Sequence, residues 1–501
     1  MSRRAFLATS ASVATVAGLA ACSTSLTGQG SAVDAETAAS ESQPTRDWWI
    51  SHKHRADPAL AEAYTGKVSI ASGEQLPLHV STSADQFNVE VYRIGHYDGQ
   101  GGALIAKAGP FPGKSQNKAI ESDGSRMTAA HWQPSAVLDT SDWTDGLYLI
   151  HVVVGKKRTE APVLVRSDST DGKVALIATP MTWQAYNTWG GRSLYRSENG
   201  TFAQRSFAVS LDRPMAATGR TVFYAFEIPI FQQAEAADVP LAYTTNIDIS
   251  HSNGSVLDGA KGVVSTGHDE YWTVPYRNAL EKARDAGTNV AFLGANAGYW
   301  RVRLNDSDAG PNRTVTCYKS AGLDPTTGPQ TTARFRDSPD SRPEAAITGQ
   351  MYDAFPAYGD MTIRDPDFFL FDGTDVREGQ KISKLLGPET DRYYPISASP
   401  DRLQIPALSP VTCNGKATWS TMTYYGADSG AGVVATGTMG WTRALPRPIN
   451  AGFPQQTTEF VSHVTNNLLQ AMAAGPMAND HAVSDDTGDV KLPSTSTTGA
   501  S

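Results

Sequence analysis

The sequence predicts a multidomain protein in which an immunoglobulin-like β-sandwich precedes an α/β domain with a mostly parallel sheet. Three features point there. Between about Thr45 and Arg166, short segments alternate apolar and polar residues at period two, as in "QFNVEVYRI", where Phe87, Val89 and Val91 share one face. From Asp171 the apolar runs become continuous, as in Val174–Ala178, the pattern of a strand covered on both sides. From Val263 to Leu293 a strand, a loop, a cappable helix and a second strand follow one another, which is a βαβ unit.

The chain has 501 residues, enough for two or three domains. Hydrophobic residues make up 40%, and 44 Gly with 29 Pro suit strands and loops better than a helical bundle. The net charge of -9 and the lack of a basic stripe argue against a nucleic-acid partner.

Taken in order, residues 1–22 read as a targeting segment. Arg3 and Arg4 open it, a weakly apolar run follows from Ala8 to Ala21, and the pattern is that of a twin-arginine export signal. Leu19-Ala20-Ala21-Cys22 has the form of a lipobox, which would place a lipid on Cys22 and the protein on the outer face of the cell membrane. The plainer alternative is a secretory signal cut near Ala21. Residues 23–45, rich in Ser, Thr, Ala and Gly, are expected to be a flexible tether. Residues 46–168 form the sandwich domain, with further strands in "KVSIAS", "LPLHVS", "GLYLIHVVV" and "APVLVRS" separated by turn residues. Residues 170–475 form the α/β domain, and 478–501 a disordered tail. Cys317 and Cys413 make either one disulfide or two free thiols, and neither sits in a nucleophile elbow.

Within the α/β domain, Thr273 can cap a helix whose first turn holds Pro275, with Ala279, Leu280, Ala283 and Ala286 at helical spacing and Gly287 placed to end it. Val290–Leu293 and the segment 432–441 read as further strands. Residues 305–423, rich in Pro, Asp and Arg, read as long loops with a small antiparallel insertion.

In open α/β sheets, ligands bind beyond the carboxyl ends of the strands. Four stretches leave strands at that edge: 179–195, 265–273, 294–303 and 436–443. Each joins Gly to Trp or Tyr and a polar group. No G-x-S-x-G elbow, dinucleotide fingerprint, P-loop or H-E-x-x-H zinc motif is present. What remains is His268 and Glu270 two apart, Asn296, and the phenols Tyr186 and Tyr195. Oxygen-rich ligation by carboxylate and phenolate suits a hard ion such as ferric iron. The competing explanation for these tyrosines is core packing with a bonded hydroxyl. Tyr271 and Tyr299 are rivals for a phenolate role. Asp269 reads as a cap or ion-pair partner, and Trp183, Trp189, Trp272, Trp300 and Trp441 as pocket walls.

"YNTWGG", "GHDEYW", "GANAGYWRVR" and "GTMGW", with "VYRIGHYDGQGGALI" and "WTDGLYLI" upstream, resemble the large (beta) subunit of N,N-dimethylformamidase and its wider family. The resemblance implies a glutamine-amidotransferase-like α/β domain after a β-sandwich. It also implies one iron held by two tyrosines and a glutamate. Carried over by motif, the metal ligands would be Tyr186, Tyr195 and Glu270, and His268 and Asn296 would face the substrate, a small amide. That enzyme works with a small subunit, so an accessory subunit or a homo-oligomer stays open here. The alternative class is a non-catalytic envelope lipoprotein that binds a glycan or a protein partner.

Overall fold

In the computed structural model, residues 33–35, 38–122, 124–447, 452–488 and 490 are described. The export and lipid-attachment motifs around Arg3, Arg4 and Cys22 lie outside them. Among the described residues, no helix is long and apolar enough to cross a membrane.

The N-terminal strands build two sheets. One runs in the order Val33–Ala35, Ala136–Leu138, Leu76–Thr82, Ala61–Thr65. The other runs Ala38–Pro44, Gly102–Pro112, Gln86–Ile94, Gly146–Val154, Lys157–Val165, Ser69–Ile70. Period-two sequence explains the burial. Phe87, Val89 and Val91 point inward against Leu76, Leu78 and Val80, while Gln86 and Asn88 stay exposed. Each such apolar side chain stabilises the fold by about 1.5–3 kcal/mol.

The tether expected at 23–45 is corrected for the part that is described. Ala38–Pro44 pairs antiparallel with the strand Gly102–Pro112, and Val33–Ala35 pairs with Ala136–Leu138. Free edges offer backbone partners that composition does not reveal. The tail expected from 478 is corrected in the same way. The Asp486 carboxylate accepts the Ile405 N–H at 2.7 Å and pairs with Arg364 at 2.6 Å, which pins the chain before residue 488.

A seven-stranded sheet follows. Its order is Leu241–Thr245, Val174–Ala178, Gly262–Ser265, Asn289–Phe292, Gly432–Ala435, Lys416–Gly426, Gln404–Cys413. The first five are parallel, and the last two are antiparallel. All residues of Val174–Ala178, Gly262–Ser265 and Asn289–Phe292 are buried, because helices cover both faces. The helix Val274–Asp285 starts where Thr273 accepts the Tyr276 N–H at 3.0 Å. Gly287, with φ at +100°, follows it. The stretch 305–423 is more ordered than its composition suggests. Its hairpin Gln404–Gly426 completes the main sheet, and Trp300–Thr316 forms a second hairpin.

Strand order decides where chemistry can sit. The second strand in sequence lies on one side of the first, and the third and fourth on the other. The chain therefore reverses direction of winding between Val174–Ala178 and Gly262–Ser265, and the carboxyl ends of these strands are where such sheets place their ligands.

Candidate functional site

Two loops leave the strands that flank this switch point, and they carry the candidate ligands. The first begins at Thr179-Pro180, where proline suits the first helical turn. The helix Pro180–Tyr186 ends with Tyr186 as its last residue. The chain then doubles back, and the Leu194 N–H donates to the Ala185 carbonyl at 3.0 Å. Tyr195 therefore lies beside Tyr186, with ring centroids 5.0 Å apart.

The second loop runs extended from Ser265 into the short strand Tyr271–Thr273. Alternation in an extended chain explains three ionisable groups in a row. His268 and Glu270 point to one side. Asp269 points to the other, where it accepts from Tyr276 Oη at 2.6 Å and Ser265 Oγ at 3.0 Å. Asp269 is thus a buried hydrogen-bond centre and neither a cap nor an ion-pair partner. Burial pushes its carboxyl up to about 6.

The sides meet at Glu270, which is fully buried. Tyr186 Oη donates to Glu270 Oε2 at 2.8 Å, and Tyr195 Oη donates to Glu270 Oε1. His268 Nε2 lies 3.1 Å from Tyr186 Oη and 3.5 Å from Glu270 Oε2. Trp300 Nε1 donates to Tyr195 Oη at 3.0 Å. Burial, and then the Glu270 charge, raise both phenols well above their ordinary value. Burial pushes His268 down to about 4, against the pull of Glu270, so its imidazole is neutral near pH 7.

Asn296 sits in the third loop with φ at +63°, a left-handed conformation that asparagine tolerates. Its backbone N–H donates to both oxygens of Asp391, at 2.9 and 2.8 Å, and its Nδ2 to Glu389 Oε2 at 2.8 Å. The fourth loop adds no side chain to this group. It seats the segment that does, through Asp391 N–H to the Gly437 carbonyl at 2.9 Å. Two glycines let the loops close up. A Cβ on Gly294 would collide with the Gly267 carbonyl, and one on Gly267 with Thr442.

Two residues escaped the sequence reading. Lys319 is buried with its ammonium 3.6 Å from the Tyr195 ring centre and 4.1 Å from that of Trp300, and it donates to Tyr271 Oη at 2.5 Å. Burial brings it down to about 8, opposed by Glu270. Glu389 is raised well above its ordinary value, first by burial and then by the Glu270 charge. Both come from the aperiodic stretch 305–423; only the turn pair Gly387-Pro388 ahead of Glu389 hints at a functional loop.

The rival tyrosines separate. Tyr271 is tied to Lys319, and Tyr299 packs on Trp300 and Tyr352, with ring centroids at 4.9 and 5.1 Å. Of the five tryptophans, only Trp300 contacts the ligand group. Trp183 bonds Glu227, Trp189 bonds Glu62, Trp441 bonds Thr465, and Trp272 packs in the core. Cys317 and Cys413 are free. A cavity of about 730 Å³ forms a separate cleft bordered by Tyr64, His79, Trp132 and Arg313.

Among the described residues, no three His, Cys, Asp or Glu side chains form a metal-binding group. The donors that converge are instead two phenols and a carboxylate. Both hydroxyls point at one carboxylate, so loss of two protons would leave three anionic groups, two phenolates and a carboxylate, side by side. That donor set fits a hard trivalent cation.

The profile of the family described as N,N-dimethylformamidase beta subunit-like, C-terminal, matches residues 88–456. The chain belongs to this family. The match to the N,N-dimethylformamidase beta subunit-like family spans every loop that builds the Glu270 cluster. No curated protein matches the chain.

Proposed function

We propose that this protein is an iron-dependent hydrolase of small amides, exported and held at the membrane by a lipid on Cys22. The observation that carries the site is that Tyr186 and Tyr195 both donate to Glu270. The three would hold one ferric ion. The bound ion would supply a Lewis acid to polarise the amide carbonyl.

The chain's own residues do the rest. Neutral His268 accepts a proton at its unprotonated ring nitrogen as water adds to the carbonyl carbon. The proton passes to the leaving nitrogen as the C–N bond breaks, which yields a carboxylate and an amine. Asn296 has one amide hydrogen on Glu389 and offers the other to the developing oxyanion, a contribution of a few kcal/mol when well placed. Lys319 places a positive charge beside the anionic ligands, and the Trp300 N–H supports the Tyr195 oxygen.

Family membership supports the reaction class, and the parallel sheet behind an N-terminal pair of sheets supports our reading of the architecture as an immunoglobulin-like sandwich joined to a glutamine-amidotransferase-like domain. Metal analysis and a visible spectrum of the purified protein test the proposal. One iron per chain and a strong phenolate-to-iron band are expected, with release of an amine from small N-substituted amides. A colourless chain that takes up no iron overturns it. The separate 730 Å³ cleft favours a second reading, an envelope protein that binds a glycan, for which polymer binding without metal would be the sign.

A further inference from the structure

Arg213 is 1% exposed. Burial pushes its guanidinium down to about 9, and no charged neighbour offsets the cost. Taking a charge out of water without a counter-ion is expensive, so its partners must repay it through hydrogen bonds. Those partners all hold the tyrosine loop or the strand beside it. Nε donates to Gln184 Oε1 at 3.0 Å, and Nη2 donates to the carbonyls of Gln184 at 2.8 Å and Asn187 at 3.0 Å. Nη1 reaches Thr128 Oγ1 at 3.1 Å and the carbonyls of Trp189 and Arg192, each at 3.3 Å.

Gln184 and Asn187 flank Tyr186, and Trp189 and Arg192 lie on the way to Tyr195. The carbonyls at a helix end and in the turn beyond it need donors. Here one planar fork supplies four of them, from the two ends of the link between the phenols. Asn187 closes the arrangement, since its Nδ2 donates to the Pro214 carbonyl, next to Arg213, at 2.8 Å. A flexible lysine could reproduce at most three of these bonds.

We infer that Arg213 is a positioning residue that sets the spacing of Tyr186 and Tyr195 so that both hydroxyls meet Glu270. The inference rests on the proposed metal site for its meaning, though not for its test. The full chain is prepared metal-free as wild type, Arg213→Met and Arg213→Lys, then titrated with ferric nitrilotriacetate. Bound iron and the phenolate-to-iron band are read, with thermal unfolding as the check on folding. Arg213→Met should unfold cooperatively yet bind iron about ten-fold more weakly or worse, with roughly half the absorbance per iron because one phenol no longer reaches. Arg213→Lys should lie between. Wild-type absorbance and affinity in folded Arg213→Met would overturn the inference; should that variant fail to accumulate, Arg213→Lys carries the same readings. Hydrogen exchange of the metal-free proteins separates this from the proposed function. If wild type takes up no iron, the metal reading fails. Faster exchange over residues 184–195 in Arg213→Met then still upholds the positioning role, and unchanged protection there sinks it.

Discussion

Two buried glutamates, Glu160 on the strand Lys157–Val165 and Glu270 at the rim of the main sheet, are treated in opposite ways. Glu160 meets Arg55 at 2.6 Å and Arg220 at 3.5 Å, so the protein neutralises it with its own cations. Glu270 is as deeply buried, and the groups placed on its oxygens are two phenols and a neutral imidazole. The first arrangement is complete as it stands. The second gathers acidic hydrogens around a carboxylate, hydrogens that a bound cation would displace. A buried charge paired inside the chain marks architecture; one met by two phenols and a neutral imidazole is the better candidate for chemistry.

The largest test of this contrast is a pair of substitutions. Glu270→Gln should abolish the visible band and lower amide turnover by about 10³-fold or more while leaving thermal unfolding near wild type. Glu160→Gln should keep the band but cost about 3–5 kcal/mol of stability in denaturant titration, since it strands two arginines. The reverse pattern would dissolve the distinction. Next in size, Tyr195→Phe and Tyr186→Phe should each weaken iron binding about 10–100-fold by metal titration. Tyr195→Phe should also free the Trp300 N–H, visible as a shift in tryptophan emission.

His151 sharpens the comparison from the other side, as a buried group of the strand Gly146–Val154 with no chemistry. Burial pushes it down to about 3. Its folded value lies below its unfolded value near 6.5, so it costs nothing above that pH and destabilises progressively as pH falls toward 3, where only the unfolded state takes up the proton. Unfolding free energy should therefore drop with a slope of up to about 1.4 kcal/mol per pH unit below pH 6. His151→Phe should flatten that slope. The smallest effect is at Thr273. Removing its cap in Thr273→Ala should cost about 1 kcal/mol in urea unfolding and leave the visible band unchanged.

How far the sequence disclosed these features depends on the range of the interaction. Val174–Ala178 and the capped helix after Thr273 were readable because periodicity and capping are local. The convergence of Tyr186 and Glu270 was readable because strand ends in a parallel sheet share one edge. Lys319 and Glu389 were not, since a long irregular excursion brings them in and no local pattern records where it returns. The strands before residue 45 were missed for a related reason: an edge recruits them by backbone hydrogen bonds, to which composition is nearly blind. Asp269 was misassigned because its partner Tyr276 is set by the turn into the following helix.

The contact of Gly294 with Gly267, and of Gly267 with Thr442, has a practical outcome for anyone wishing to alter what this site admits. Main chain abuts main chain at the first contact and the Thr442 side chain fills the second, so neither glycine has slack to accept a larger side chain. Room for a bulkier guest has to come from the flanks around Lys319 and Glu389, and mutant libraries belong on those segments.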